Sequence, residues 1–478
     1  MRKMMAFLLI FALLISAALP FAGAEQLADH LTVASGSYSY IRQSDGTAMI
    51  MGYTGEEAEL AIPGELDGVP VTAVGPSAFQ TNIALTTLTV PEGIVSVGDY
   101  AFQRCPNLTD VVFPSSLRDV GLNPFAGCES LSGITFSADN PWLILHENVL
   151  FSREDHRLIY YPRLKARGPY TIPEGTRIIG ASAFYECDNL TELAIPDSVT
   201  AVGRRAFYQC SSLGAVTLPP EVSTIGAEAF CGCRQLRRLT FPEKITSIGE
   251  RAFQDCVNLE DVVLPEAISS IGDMAFRNCG SMTALRLPRG IATIGKNTFT
   301  DCKNLTDLTL PEGLSYIGAG AFSGCESLKK AELPDSVDYI GSNAFDGCVN
   351  LAEITLPDTC SYIGSYAFSR CSSLSRMEIP SYVCSISAYT FQGCVSLAEI
   401  TLPEELEEIG SWAFAACTSL KEIVVPDPVE DIGDYAFAYC GSLEHVELPA
   451  DLETIGAHTF DACPNLKDLP DLSDMIEE

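Results

Sequence analysis

Positive charge is scarce in this sequence. It contains 29 Lys and Arg residues against 62 Asp and Glu residues, which gives a formal net charge of −33 over 478 residues. Binding to nucleic acid or to an anionic membrane depends on clustered positive charge. The composition therefore predicts that neither is a partner.

Motifs that support catalysis are missing as well. The chain has five histidines, and none of them lies in a nucleophile, zincin or phosphate-loop motif: His30, His146, His156, His445 and His458. Carboxylates are plentiful, but they recur at regular intervals, as expected of a repeated surface. The sequence predicts a protein that is not an enzyme and that needs neither a cofactor nor a metal ion.

Long apolar runs occur only at the start of the chain. Arg2 and Lys3 precede an apolar run over residues 4–18, and small residues follow up to Ala24. This is the pattern of a secretory signal peptide that is cleaved after Ala24. No later segment has the roughly 18 consecutive apolar residues of a transmembrane helix. We expect a secreted or cell-surface protein without a transmembrane segment.

A phenylalanine, usually preceded by alanine, recurs with a period of 23 residues and organises most of the chain. The period is interrupted once, by 36 additional residues after Phe125. Such a period indicates a stacked repeat architecture. The sixteen repeats are centred on Phe79, Phe102, Phe125, Phe184, Phe207, Phe230, Phe253, Phe276, Phe299, Phe322, Phe345, Phe368, Phe391, Phe414, Phe437 and Phe460.

Each repeat predicts one coil of a solenoid. Apolar residues nine and eleven positions after the Phe, such as Leu308 and Leu310, alternate with polar neighbours and indicate a short strand that Pro311 ends. The following Ile-Gly-x-x-Ala-Phe stretch predicts a tight turn or a short turn of helix. Its Gly supplies either unusual backbone angles or a close approach of two chains. One coil cannot bury its apolar residues alone, so neighbouring coils must stack.

The pattern Leu-x-x-Leu-x-Leu-Pro followed by Ile-Gly-x-x-Ala-Phe-x-x-Cys resembles the treponemal-type leucine-rich repeat of the BspA-like secreted and surface proteins, over about residues 58–472. The resemblance implies a leucine-rich-repeat solenoid of the α/β type. Short parallel strands would line one face and short helical turns or loops the other, in an elongated, curved, right-handed array. It also implies an adhesin-like role in binding host matrix proteins or other bacteria.

The repeats and their interruptions predict the domain organisation. A signal peptide at residues 1–24 is followed by an N-terminal cap and degenerate first coil at 25–75, with a β-hairpin around Asp45-Gly46. The solenoid covers residues 76–472, with a β-hairpin insertion at about 137–171 that projects from its edge. Residues 473–478 form an acidic tail.

Fifteen of the eighteen cysteines occupy one repeat position, three residues after the Phe. Stacked coils hold such side chains in parallel, whereas a disulfide needs Cβ vectors that converge. The spacing therefore predicts buried, reduced thiols that act as small apolar fillers.

Aromatic residues recur at two further repeat positions. One column lies two residues before the Phe, at Tyr366, Tyr389, Trp412 and Tyr435, and the other lies six residues before it, at Tyr316, Tyr339 and Tyr362. Polar residues occupy both positions elsewhere, which predicts that the rings face solvent. There they could stack on sugars or anchor a protein partner, or they could merely cover neighbouring aliphatic surface.

A basic patch is a second candidate contact surface. It consists of residues on or beside the predicted strands: Arg237, Arg238, Arg286, Lys329, Lys330 and Arg376.

The leading functional hypothesis is a monomeric binding protein, an adhesin or interaction scaffold that contacts host proteins or those of neighbouring cells. The alternative is a carbohydrate-binding or nutrient-scavenging module that uses the aromatic columns. A catalytic site within the insertion is a third hypothesis.

Overall fold

The computed structural model describes residues 32–165, 167–260, 262–467 and 476–477. The chain divides into two compact units, residues 1–165 and 166–478. Within the described residues all regular structure is β-strand, joined by turns. The predicted signal peptide lies outside the described residues, as do most of the predicted acidic tail and residues 25–31 of the predicted cap.

The first unit begins with an antiparallel meander. Val33–Ser35 pairs with Tyr38–Arg42, which pairs in turn with Ala48–Tyr53. Ala48–Tyr53 then pairs in parallel with Val69–Val74, the first member of a stacked column. The meander therefore joins the repeat array by backbone hydrogen bonds, while its role as a cap stays a prediction.

Parallel columns build the rest of the first unit. One column pairs Glu59–Ala61, Thr87–Thr89, Asp110–Phe113 and Gly133–Phe136. The other pairs Val69–Val74, Ser96–Val97 and Asp119–Val120. The short strand Glu65–Leu66 pairs antiparallel with Val69–Val74.

The insertion forms an antiparallel meander of three strands, Leu143–His146, Val149–Ser152 and Arg157–Tyr160. The predicted hairpin corresponds to the last two strands, and the sequence reasoning missed the first. The prediction that the hairpin projects was wrong. Leu150 is fully buried in the hydrophobic core of this unit, and the Tyr160 ring lies 5.3 Å from that of Phe125. The apolar side chains of the meander extend the core because the repeat supplies none in this stretch.

Most coils of the second unit contain two short strands. The first strand lies just before the repeat Pro, and the second lies before the repeat Gly. The first strands are Gly168–Thr171, Leu190–Ala194, Ala215–Thr217, Arg238–Thr240, Ala284–Arg286, Asp307–Thr309, Lys330–Glu332, Glu353–Thr355, Arg376–Glu378, Glu399–Thr401, Glu422–Val424 and His445–Glu447. The second strands are Ile178–Ile179, Ala201–Val202, Thr224–Ile225, Ser247–Ile248, Ser270–Ile271, Thr293–Ile294, Tyr316–Ile317, Tyr339–Ile340, Tyr362–Ile363, Ser385–Ile386, Glu408–Ile409, Asp431–Ile432, Thr454–Gly456 and Ile476–Glu477.

The two sets of strands pair differently. First strands pair in parallel in twos, as in Lys330–Glu332 with Glu353–Thr355 and Arg376–Glu378 with Glu399–Thr401. Second strands form longer parallel ladders of five, four and five strands in this unit. The last ladder ends with Ile476–Glu477, so part of the predicted acidic tail continues the column. The sequence reasoning expected one strand per coil and missed the second.

Stacked phenylalanine rings form the core of the second unit. From Phe184 to Phe460 successive ring centroids lie 4.9–5.7 Å apart, with interplanar angles of 2–22°. All but Phe460 are buried. Each inner ring is thus covered on both faces by the coils next to it, and no coil is complete without its neighbours.

The Phe lies within a tight turn, which is one of the two alternatives that the sequence predicted for this stretch. In most coils the residues two positions before and two after the Phe adopt the left-handed conformation, as at Trp412 (φ 60°) and Ala416 (φ 59°) around Phe414. Such residues cost roughly 1–2 kcal/mol each relative to the right-handed region. Packing of the rings and the backbone bonds between coils must outweigh this cost.

The repeat Gly serves a close approach between coils. A Cβ at this position would lie 2.5–2.6 Å from a backbone nitrogen of the preceding coil, as at Gly203, Gly226, Gly249, Gly272, Gly341 and Gly364. These glycines do not have positive φ angles. Of the two roles that the sequence left open, the structure therefore selects the close approach.

Candidate binding surface

The cysteine column is sealed inside the protein. All eighteen cysteines lie within the described residues and are free thiols, and only Cys384 is exposed. In fourteen of the fifteen repeat cysteines the thiol donates a hydrogen bond to the carbonyl oxygen of the Phe in the preceding coil, as Cys302 does to Phe276 at 3.3 Å. Burial raises the pKa of Cys302 to about 12. The thiols are therefore hydrogen-bond donors as well as the apolar fillers that the sequence predicted, and they are not nucleophiles.

The burial of the thiols predicts their reactivity. With Ellman's reagent at neutral pH, we expect one thiol, Cys384, to react rapidly, because a thiolate must form and be reached. Cys463, which is partly exposed, should react more slowly, and the remaining thiols only in denaturant. Cys384→Ser should abolish the rapid phase. A rapid phase of several thiols in the native protein would contradict the structure.

The aromatic column two residues before the Phe forms a continuous stack. Ring centroids lie 4.4 Å apart for Tyr366 and Tyr389, 5.9 Å for Tyr389 and Trp412, and 4.3 Å for Trp412 and Tyr435. His458, which the sequence reasoning did not include, extends the stack at 4.8 Å from Tyr435. The four predicted rings are half-buried instead of fully facing solvent.

The second aromatic column has the same arrangement. Tyr339 lies 4.6 Å from both Tyr316 and Tyr362, with interplanar angles of 11°. Burial and the neighbouring Tyr362 raise the pKa of Tyr339. Tyr316 and Tyr362 are exposed at 39% and 40%.

Stacking determines what both columns can offer to a ligand. A sugar packs against the face of an aromatic ring, and in these columns the faces of the inner rings are covered by other rings. The inner rings present their edges to solvent. Neither column therefore provides a platform of open ring faces along its length.

Ring stacking also changes the expected effect of substitution. From the sequence alone, removing Trp412 should cost little stability. Because its ring stacks on Tyr389 and Tyr435, we expect Trp412→Ala to lower the free energy of unfolding by about 1–3 kcal/mol, and Trp412→Phe to retain most of it. Urea unfolding measures both, and Tyr382→Ala is the control because Tyr382 is 67% exposed. Equal effects of Trp412→Ala and Tyr382→Ala would show that the stack contributes nothing.

Ion pairs offset the charge of much of the predicted basic patch. Arg286 lies 3.0 Å from Glu266, Lys330 lies 2.8 Å from Glu332, and Arg237 lies 3.9 Å from Glu260. Arg238, Lys329 and Arg376 are exposed on or beside the first strands. The six residues are spread over several coils among these carboxylates and do not form one continuous positive surface.

A groove lies on the face of the first strands. It has a volume of about 990 Å³ and crosses three coils, over the strands Glu353–Thr355, Arg376–Glu378 and Glu399–Thr401. Two smaller clefts, of about 370 and 380 Å³, lie on the same kind of surface earlier in the unit. Sequence reasoning missed the groove because it depends on how strands pair between coils.

A model of the BspA type leucine-rich repeat region matches residues 69–150, 169–283, 223–352, 269–395 and 338–467. The chain belongs to the BspA-type leucine-rich repeat family. The matched segments take in both units, so the turn, the Phe stack and the cysteine column described above are properties of BspA-type repeats in this chain. A comparison with curated proteins found no significant match.

Several solved structures resemble this BspA-type chain. A leucine-rich repeat protein from Bacteroides ovatus shares 25% identity over 91% of this chain and 93% of its own, with a TM-score of 0.44. A leucine-rich cell surface protein from Faecalibacterium prausnitzii shares 22% identity over the same fractions, with a TM-score of 0.33. The pneumococcal vaccine antigen PcpA shares 15% identity over 87% of this chain and 98% of its own, with a TM-score of 0.26.

Across the described residues, no group of three or more His, Cys, Asp or Glu side chains is placed to hold a metal ion. The same part of the chain contains no helix long and apolar enough to cross a membrane.

Proposed function

We propose that this protein is an exported scaffold that binds other extracellular proteins, such as matrix components or surface proteins of neighbouring cells. We prefer a protein-binding scaffold to a carbohydrate-binding module because the faces of the aromatic rings are covered by other rings. Tyr389, for example, stacks on rings on both sides, so a sugar would have no open face to pack against. A protein partner can instead use ring edges, hydroxyls and the exposed strand residues between them.

Other features support the same proposal. The first strands repeat one arrangement of outward-facing side chains from coil to coil, which suits an extended contact surface. The strong negative charge disfavours nucleic acid. We propose no catalytic role, because the insertion, the one break in the period, contributes apolar side chains to a core. We further propose that the protein acts as a monomer, after cleavage behind Ala24, in secreted or surface-associated form.

Purified mature chain applied to parallel panels of immobilised extracellular-matrix proteins and glycans tests the proposal. We expect saturable binding to at least one protein and none to the glycans. Glycan binding that Tyr389→Ala abolishes would instead favour the carbohydrate hypothesis. Mass spectrometry of the exported form should give a chain that begins at Glu25.

A further inference from the structure

The groove on the first-strand face coincides with a break in both sets of ladders. Among the described residues, no backbone hydrogen bond joins the first strands Glu353–Thr355 and Arg376–Glu378, or the second strands Tyr362–Ile363 and Ser385–Ile386. At the two smaller clefts the second strands of the adjacent coils are paired. The larger groove therefore lies where neither the first nor the second strands of adjacent coils are paired.

A difference in the repeat sequence lies at this break. Ser387 occupies the position that is Gly in the coils on either side, Gly364 and Gly410. Those glycine amides donate to Ile340 and Ile386 oxygens, whereas at Ser387 the side-chain hydroxyl donates to the Ile363 oxygen at 2.8 Å. Because a Cβ at the Gly position would meet the backbone of the preceding coil, Ser387 is incompatible with the backbone bond that Gly makes there, although the Phe368 and Phe391 rings stay 5.6 Å apart.

The lining of the groove combines an apolar base with an acidic rim. Ile354 and Met377 are 8% and 4% exposed and form part of the base. Four carboxylates and one guanidinium also line it: Glu353, Asp358, Glu378, Glu404 and Arg376. Tyr382, which is 67% exposed, stands beside them. The local charge favours a cation, and the apolar base favours one that carries hydrophobic side chains.

We propose that this groove binds an extended, lysine- or arginine-rich polypeptide segment of the partner protein. Such a segment would lie across Glu353–Thr355 and Arg376–Glu378, beside the outward-facing side chains of these strands. Alternate side chains of such a chain would point to the acidic rim and to the apolar base. The inference rests on the proposed function, since it names the kind of partner segment that the scaffold would hold.

Titration of the mature chain against a short, end-blocked peptide that alternates lysine and valine tests the proposal by fluorescence anisotropy. We expect binding that weakens with salt, and none to the matched peptide with glutamate in place of lysine. The triple variant Glu353→Gln, Glu378→Gln and Glu404→Gln should weaken binding about tenfold or more. The control variant Glu312→Gln, Glu430→Gln and Glu453→Gln makes the same charge change at exposed positions elsewhere and should alter affinity less than about twofold.

Ser387→Gly provides a second test that does not change the charge. Removing the Cβ should let the second strands pair, so we expect a higher melting temperature and at least about fivefold weaker peptide binding. The proposal would be overturned if the two triple variants lost the same amount of peptide affinity. A Ser387→Gly protein with a higher melting temperature and unchanged peptide affinity would also overturn it.

The same variants separate the groove from the scaffold function. If a protein from the panel binds equally to the wild type and to the groove variant, the scaffold function stands and the groove is not its site. If the lysine peptide binds in the groove but no panel protein binds, the groove stands and the proposed range of partners is wrong.

Discussion

The stability of the second unit should fall steeply between about pH 8.5 and pH 9.5. Ten repeat thiols in this unit are fully buried with raised pKa values: Cys210, Cys233, Cys256, Cys279, Cys302, Cys325, Cys348, Cys371, Cys394 and Cys417. Unfolded cysteine ionises near pH 8.5, and these thiols stay protonated in the folded state until much higher pH. The contribution of these thiols to the free energy of unfolding is complete below the pKa of the unfolded state. It is lost as the pH rises toward the pKa of the folded state.

The size of this effect follows from proton linkage. Each thiol that ionises only on unfolding lowers the free energy of unfolding by about 1.4 kcal/mol per pH unit. Ten thiols that unfold together would contribute on the order of 10 kcal/mol per pH unit. We therefore expect the urea midpoint to fall sharply over this window, before the tyrosines begin to ionise near pH 10.

Single variants identify the cysteines as the cause. Cys302→Ala should reduce the number of protons released on unfolding above pH 8.5 by about one, whatever its effect on stability at pH 7. Cys384→Ser removes an exposed thiol and should leave the pH dependence unchanged. A urea midpoint that stays constant from pH 7 to pH 9.5 would show that the thiols do not ionise on unfolding as the structure requires.

Gly249→Ala should lower the free energy of unfolding by about 3 kcal/mol. Its Cβ would lie 2.5 Å from the Ala227 nitrogen, and backbone on both sides limits relaxation. We expect the accommodation seen at Ser387, a local break of the second-strand ladder with loss of the bond from the Gly249 amide to the Ile225 oxygen. Urea unfolding at pH 7 measures the loss.

Two matched substitutions make this prediction specific. Gly280→Ala meets nothing within 4 Å and has no positive φ, so it should be neutral or slightly stabilising. Gly249→Ser should be less harmful than Gly249→Ala by about 1 kcal/mol, because its hydroxyl can donate to the Ile225 oxygen as that of Ser387 does to Ile363. If Gly249→Ala and Gly280→Ala have the same effect, close approach is not the reason for the Gly.

The period of 23 residues was sufficient to predict the fold, because repetition places equivalent residues in register. Phe299, Cys302 and Leu305 could be assigned to a common core without any coordinates, and all three are buried. The family resemblance stated from the same residues is confirmed by the match to the BspA-type repeat model.

Features that depend on geometry between coils could not be predicted in this way. The second strand has two residues in most coils, too few to show an alternating pattern. The left-handed residues did leave a signal, since Gly127, Gly232 and Gly393 stand two residues after their Phe, where Arg370 and Ala416 adopt the same conformation. Whether Tyr389 showed its face or its edge depended on the distance to its neighbours, which the spacing in sequence does not contain.

Asn82 indicates how a cysteine-free form of this array could be made. It stands at the repeat cysteine position of the first complete coil, where its amide group donates to the Gly55 oxygen and its carbonyl accepts from the amides of Ala84 and Leu85. The position therefore selects for a compact side chain with a donor, and sulfur is not essential to it. An array rebuilt with asparagine at these sites would resist oxidants and lose its sensitivity to alkali, which would make it usable as a synthetic display framework in air.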